Sequence, residues 1–380
     1  MQNIAGRSGF DENHAIFRES VRKFIERNVL PHLDRWEHEG IVDREFWRAS
    51  GDAGLLAPTL SEDLGGPGLD FRYNAIIAEE MAYVGCSAGI GLQSDVVVGY
   101  FSSFASDEQR ARWLPGIVSG EVITAIAMTE PGTGSDLRGV RTTARRDGDS
   151  YVVNGSKTYI TNGQNADLVI VVATTETQQG GKGISLVLVE ATREGFRRGR
   201  NLDKIGKKSS DTSELFFEDV RVPATNLLGQ ENSGLRYLMS QLPQERLSIA
   251  IRAQAAAQRV FDEAVHFTKE RKAFGSTVFD FQNTRFTLAN IAAKLQIGWA
   301  HLDWALTRHV NGELTAVEGA AAKLWHTEMQ WEATDASLQL HGGAGYMNEY
   351  PIARFWRDAR VQRIYGGTTE IMKEIIGRTL

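Results

Sequence analysis

The sequence predicts an α+β fold in three successive segments: an all-helical N-terminal domain (1–123), a central antiparallel β-domain (124–230) and a C-terminal four-helix bundle (231–380). Three observations predict it. Apolar residues at helical spacing dominate the first third, short β-rich runs broken by turn residues begin near Glu121, and helical spacing returns after Ser233 and holds to the end.

In the first segment Phe17, Val21, Phe24, Ile25 and Val29 recur at three-to-four spacing, and Pro31 closes the run. Ser106-Asp-Glu-Gln109 reads as a capping box ahead of Trp113 and Leu114, and Leu64-Gly-Gly-Pro-Gly68 as a loop between helices. In the second segment residues 151–153, 158–161, 168–173, 184–189 and 214–217 read as strands, with Asn154-Gly155 and Asn162-Gly163 as turns on either side of one of them. Strands at this spacing with no helix between them predict a small antiparallel barrel or sandwich, left through Pro223 and Asn226-Leu-Leu-Gly229. In the third, Leu288, Ile291, Leu295, Leu302 and Leu306 line one helix face, and Asn311-Gly312 turns a long hairpin.

Composition narrows the function classes. A net charge of −6 argues against a nucleic-acid partner, because such binders concentrate basic charge on one face. The single cysteine, Cys86, rules out an intrachain disulfide and a cysteine-based metal cluster, and the eight histidines are scattered, so no metal is expected. No window reaches the ~18 consecutive apolar residues of a membrane span. The first residues lack the basic start and apolar run of a secretory signal, which points to the cytoplasm.

Six stretches carry candidate chemistry. Met128-Thr-Glu-Pro-Gly-Thr-Gly-Ser-Asp136 places backbone N–H groups in a tight loop that suits a phosphate, or is simply a turn. It lacks the lysine of a Walker loop, and no Gly-x-Gly-x-x-Gly fingerprint follows a strand. Residues 154–163 read as a hairpin strand, Glu270-Arg-Lys-Ala-Phe-Gly275 with Gln282 as a solvated helix end, and Gln339-Leu-His-Gly-Gly-Ala-Gly-Tyr346 as a helix stopped by glycine. Leu242-Pro-Gln-Glu-Arg-Leu-Ser-Ile-Ala250 is expected to open the first helix of the bundle, where a Glu-Arg pair is explained by the helix dipole alone. The sixth, 363–372, sets two bare glycines, Gly366 and Gly367, before the last helix.

Taken in order, Thr-Glu-Pro-Gly-x-Gly-Ser-Asp, Ile-Thr-Asn-Gly, Arg-Lys-x-Phe-Gly and Gly-Gly-x-Gly-Tyr resemble the acyl-CoA dehydrogenase family over nearly the whole chain. The resemblance implies a homotetramer with FAD between the β-domain and the bundle, reaching a neighbouring subunit. It implies cofactor contacts from Ile126, Met128, Thr129, Gly134 and Ser135, from Tyr159 and Thr161, and from Thr368 and Glu370. Arg271, Phe274 and Gln282, with Gln339, Gly342 and Gly343, match the set that holds the dinucleotide of the adjacent subunit. Ala273 departs from the threonine of many relatives.

The reaction implied is α,β-dehydrogenation of an acyl-CoA thioester to the trans-2-enoyl-CoA, with electrons passed to an electron-transfer flavoprotein. It needs a base for the α-proton and donors for the enolate oxygen. In many relatives the base is a glutamate after the tyrosine of the Ile-Tyr stretch, and here that position is Gly366. Of three carboxylates at hand, Glu370 is expected to face away and Glu130 lies inside the presumed phosphate loop. Glu245 resembles the base of the long-chain branch. The reading therefore assigns Glu245 as base and the Gly366 N–H as oxyanion donor, with Ser135, Gln244, Arg246 and Gly367 at the substrate.

One pocket wall is expected along 92–100, where Ser94 and Gly99 leave a slot and Asp95 points outward or marks a polar substrate. Alternatives on the same fold are an oxygen-using acyl-CoA oxidase or flavin monooxygenase, a nitroalkane oxidase-like enzyme, against which Glu245 speaks, and a catalytically silent FAD-binding assembly protein.

Overall fold

The structure is a computed structural model describing residues 6–176 and 182–380. Its N-terminal part holds α1 (Glu12–Asn28), α2 (Leu33–Glu39), α3 (Arg44–Asp52), α4 (Phe71–Tyr83), α5 (Val98–Phe104) and α6 (Asp107–Ser119). The predicted stripe of α1 is buried except at half-buried Phe17, and the box at the start of α6 forms: Ser106 accepts from the Gln109 N–H while Gln109 reaches back to the Ser106 N–H. A π-helical turn, Leu92–Val97, precedes α5.

Eight strands follow: β1 (Thr124–Ala127), β2 (Thr143–Asp147), β3 (Ser150–Thr161), β4 (Leu168–Glu176), β5 (Lys182–Glu190), β6 (Phe196–Asn201), β7 (Thr212–Pro223) and β8 (Leu227–Leu228). They form one sheet in the order β6-β7-β3-β2-β4-β5-β8, antiparallel except that β1 and one residue pair of β2 lie parallel to β4. The expected turn at Asn154-Gly155 is not one, because β3 runs through it with a shift in register. Two neighbours explain the dipeptide there. A Cβ on Gly155 would lie 2.4 Å from Thr142 Oγ1, and the Asn154 amide exchanges two 2.9 Å hydrogen bonds with Asp219. Asn162-Gly163 does turn the chain, with Asn162 at φ 62°.

The C-terminal part is built on α7 (Gly234–Glu270), a two-stranded ribbon of β9 (Lys272–Ala273) and β10 (Ser276–Thr277), then α8 (Gln282–Val310) and α9 (Ala316–His341). α10 (Pro351–Gln362) and α11 (Thr369–Gly377) close against α9. The hairpin expected at Asn311-Gly312 forms, and all five leucine and isoleucine residues of the α8 stripe are buried. α7 and α9 run parallel: Gly319 packs on Pro243 near one end, and Phe267 stacks on His341 at 4.3 Å near the other. Residue 245 was expected at a helix start, but α7 begins at Gly234 and carries Glu245 three turns inside. Its position therefore has no explanation in the helix dipole, which fades after the first turn. No helix among the described residues is long and apolar enough to cross a membrane.

Candidate active site

Glu245 sits where the N-terminal helices meet α7. Tyr100 of α5, fully buried, donates its hydroxyl to Glu245 Oε1 at 3.2 Å. Burial pushes the Glu245 carboxyl up to about 7, against the opposing pull of the Tyr100 hydrogen bond and the Arg246 charge. A carboxyl so placed is half ionised near neutrality, which suits a proton acceptor.

The glycine loop faces the same side of α7. Ile249 lies one turn after Glu245, so the two share a helix face. A Cβ on Gly366 would lie 2.4 Å from Ile249 Cδ1. Both glycines take positive φ, 65° at Gly366 and 98° at Gly367, where side chains are disfavoured. The loop is closed by the Thr369 N–H on the Arg363 carbonyl (3.1 Å), and its ends are tied to Glu328 by Arg363 (2.8 Å) and Thr369 Oγ1 (2.7 Å). Beneath it, Arg246 Nε lies 3.5 Å from the Gly366 carbonyl and Lys323 Nζ donates to the Gly367 carbonyl at 2.7 Å. The Gly366 N–H makes no hydrogen bond among the described residues.

The other two carboxylates are otherwise engaged. Glu130 is buried; burial alone would raise its carboxyl, but hydrogen bonds from Thr142, Lys157 and Arg141 outweigh this and hold it at about 2. It pins the 128–136 loop from inside instead of lining it. Glu370 is exposed in the first turn of α11, held below its usual range by the backbone there and the Thr368 side chain.

The loop after β1 and the end of β3 come together. Lys157 Nζ donates to the Met128 carbonyl (3.1 Å) and the Thr158 N–H to the Thr129 carbonyl (2.9 Å). In a second irregularity of β3, Tyr159 turns to φ 59° and stands 69% exposed, with Thr161 half-buried beyond it. Gly134 and Ser135 are exposed, and a Cβ on Gly134 would meet nothing. Ile126 packs into the core from β1, leaving only its backbone to face a ligand. Thr368 caps α11, accepting from the Ile371 N–H.

The remaining set lies elsewhere. Arg271, Phe274 and Gln282 are exposed around the β9–β10 ribbon, and Gln339, Gly342 and Gly343 are exposed at the end of α9. Phe274 is 97% exposed at φ 51°. From Glu245 to Arg271 the helix climbs about 39 Å at 1.5 Å per residue, so one chain does not gather both groups around one site.

Three expectations about the substrate wall change. Asp95 neither points outward nor lines a slot: it is buried, accepting from Asn74 Nδ2 (2.9 Å), from Ser248 and from Arg252 (3.0 Å). Ser94 accepts from the Ala57 N–H (3.1 Å), and Gly99 is backed by Gln241, where a Cβ would lie 2.7 Å from Oε1. Gln244, expected at the substrate, spends both ends of its amide inside the chain: Nε2 on the Asp95 carbonyl, Oε1 3.0 Å from Nε2 of His309. Burial depresses His309 to about 4, so it is neutral there.

Sequence reasoning missed Tyr100 and Lys323. Lys323 had a visible signal, a lone charge on the α9 face that buries Gly319, Ala320, Ala322 and His326. Tyr100 had none, because its partner is 145 residues away.

Comparison with known proteins agrees with this architecture. The acyl-CoA dehydrogenase N-terminal, middle and C-terminal domain families match residues 11–121, 125–220 and 232–380. The mitochondrial long-chain specific acyl-CoA dehydrogenase of Sus scrofa is 49% identical, covering 100% of this chain and 89% of the relative. An acyl-CoA dehydrogenase from Geobacillus kaustophilus superposes with a TM-score of 0.95 at 47% identity, over 98% of this chain and 99% of the other. A Mycobacterium smegmatis glutaryl-CoA dehydrogenase in complex with FADH2 superposes at 0.91 with 27% identity, over 97% and 95% of the two chains. The chain belongs to the acyl-CoA dehydrogenase family of oxidoreductases.

Proposed function

We propose that the protein catalyses FAD-dependent α,β-dehydrogenation of an acyl-CoA thioester, with Glu245 taking the α-proton and the Gly366 N–H holding the thioester oxygen. The observation that carries this reading is the Glu245 carboxyl raised to about 7, on the helix face that meets a side-chain-free loop. Ile249 fills the space where a side chain at position 366 would start, so the base comes from α7. As the α-proton moves to Glu245, negative charge builds on the thioester oxygen, and a backbone N–H already free of other acceptors stabilises it.

The residues fit FAD. The 128–135 loop with Tyr159 and Thr161 presents the exposed Ser135 and half-buried Thr129 and Thr161, backbone and one exposed aromatic ring, and Thr368 stands at the end of the glycine loop. When bound, FAD supplies the acceptor for the β-hydrogen as hydride. The distance between Glu245 and the exposed Arg271, Phe274, Gln282, Gln339, Gly342 and Gly343 supports a homotetramer in which that set serves a neighbouring subunit's cofactor. The sequence resemblance supports an electron-transfer flavoprotein as acceptor and long or branched acyl groups as substrates.

Anaerobic titration of the purified holoenzyme with acyl-CoAs of graded length and branching tests the reading. Bleaching of the flavin by one length class is expected, with slow reoxidation in air. Rapid reoxidation would make the enzyme an oxidase, and no bleaching with any acyl-CoA would overturn the dehydrogenase assignment.

A further inference from the structure

Lys323 is fully buried on α9, and no carboxylate lies within ion-pair distance of it among the described residues. Its one hydrogen bond goes to the Gly367 carbonyl, 2.7 Å away, although an ammonium carries three donors. Burying a cation against a single neutral acceptor is unfavourable, so packing does not explain the choice of lysine over methionine here. Its stem runs directly under the loop, with Cε 3.5 Å from where a Cβ on Gly366 would be. Arg246, also buried, reaches the preceding carbonyl from α7. Two cations thus back two successive carbonyls, while the Gly366 N–H between them is left without an acceptor. Burial also pulls the Lys323 ammonium down to about 8, the Arg246 charge adding to the effect and the more distant Glu328 carboxylate opposing it. The ammonium therefore remains charged at neutral pH at some expense.

We propose that Lys323 is a positioning residue for the reaction: it locks the Gly367 carbonyl so that the glycine loop presents its free Gly366 N–H to the thioester oxygen, and its buried positive charge favours the enolate. This rests on the oxyanion role proposed above for Gly366. The step it assists is balanced within the site, since the α-proton passes to Glu245 and the electron pair of the C–H bond moves onto the thioester oxygen.

The test uses holoenzyme and a 3-thiaacyl-CoA, which has an α-C–H to lose but no β-C–H to oxidise. Its α-ionisation is followed spectrophotometrically against pH in the wild type, Lys323→Met and Lys323→Gln. The apparent pKa of the bound analogue is expected to rise by at least one unit in Lys323→Met, with FAD content and affinity for the analogue's neutral form within about twofold of wild type. Lys323→Gln, able to donate to the Gly367 carbonyl without charge, is expected to fall between, which separates the hydrogen bond from the charge. If Lys323→Met does not fold, the Gln variant alone decides. A soluble variant that ionises the analogue at the wild-type pH overturns the proposal, whereas failure of the wild type to ionise it at all overturns the dehydrogenase reading instead.

Discussion

Tyr100 and Glu245 stand 145 residues apart and meet at 3.2 Å, the phenol of one domain on the carboxylate of another. The tyrosine is buried and its own ionisation is driven well above its usual value, so it remains a donor throughout the working range. It favours the ionised carboxylate and holds Glu245 lower than burial alone would. Tyr100→Phe is therefore expected to raise the Glu245 pKa above about 7 and move the acid limb of the kcat/KM profile to higher pH. An unchanged limb, followed with any turned-over acyl-CoA, would show that the phenol does not tune the base.

Glu245→Gln removes the proposed proton acceptor but keeps the shape. Turnover is expected to fall at least ~10²-fold with FAD retained. Stability moves the other way. Because the folded pKa of about 7 lies above the ordinary 4.5, the wild type loses stability as pH rises through that window. The glutamine variant has no such loss. It should be more stable by about 1–2 kcal/mol at pH 8, discounted for partial exposure, and equal to wild type near pH 4. Thermal unfolding across pH decides, and a pH-independent difference would contradict the raised pKa.

Gly366→Ala introduces a Cβ at φ 65° and 2.4 Å from Ile249 Cδ1. Backbone strain alone is worth about 1–3 kcal/mol. Ile249→Val removes the clashing methyl, so the double variant should recover the steric part and keep the strain. Urea unfolding of the two single variants and the double resolves this, and additivity of the single effects would mean that the two residues do not meet.

Asp95 is an internal ion-pair partner, and its charge is matched by Arg252 at 3.0 Å. Asp95→Asn leaves that guanidinium without its counter-charge, and a loss of about 2–4 kcal/mol is expected. The relative kcat/KM across acyl lengths should stay as in the wild type. A change in chain-length preference without loss of stability would return Asp95 to the substrate pocket.

The three segments were legible because each announces itself locally: the α1 stripe, the Ser106 box and the Asn311-Gly312 turn depend on neighbours within a few residues. Where an outcome depended on distant partners, sequence reasoning failed. Asn154-Gly155 is a strand residue pair because Thr142 and Asp219 lie against it, and Asp95 is buried because Ser248 and Arg252 come to meet it. Resemblance singled out Glu245 as the candidate base, but its setting was not legible, since burial and Tyr100 arrive from another domain. Lys323 was legible only as an oddity, a charge on a helix face otherwise built to be buried.

Phe274 is the residue that most favours the proposed neighbouring subunit. A phenylalanine 97% exposed at φ 51°, beside an exposed Arg271, meets its own chain at the Phe281 ring, centroids 6.2 Å apart, and leaves nearly all of its surface to solvent. Solvent-exposed aromatics combined with a nearby cation suit contact with a planar ring or another subunit. Phe274→Ala should therefore leave the fold and thermal stability of the apo chain unchanged, within about 0.5 kcal/mol. In the holoenzyme it should lower the flavin-to-protein ratio and shift the sedimentation profile away from the proposed tetramer. Apo stability falling while flavin content and assembly remain at wild-type values would place Phe274 in its own chain's packing and remove the argument that the 271–282 segment serves a neighbouring subunit.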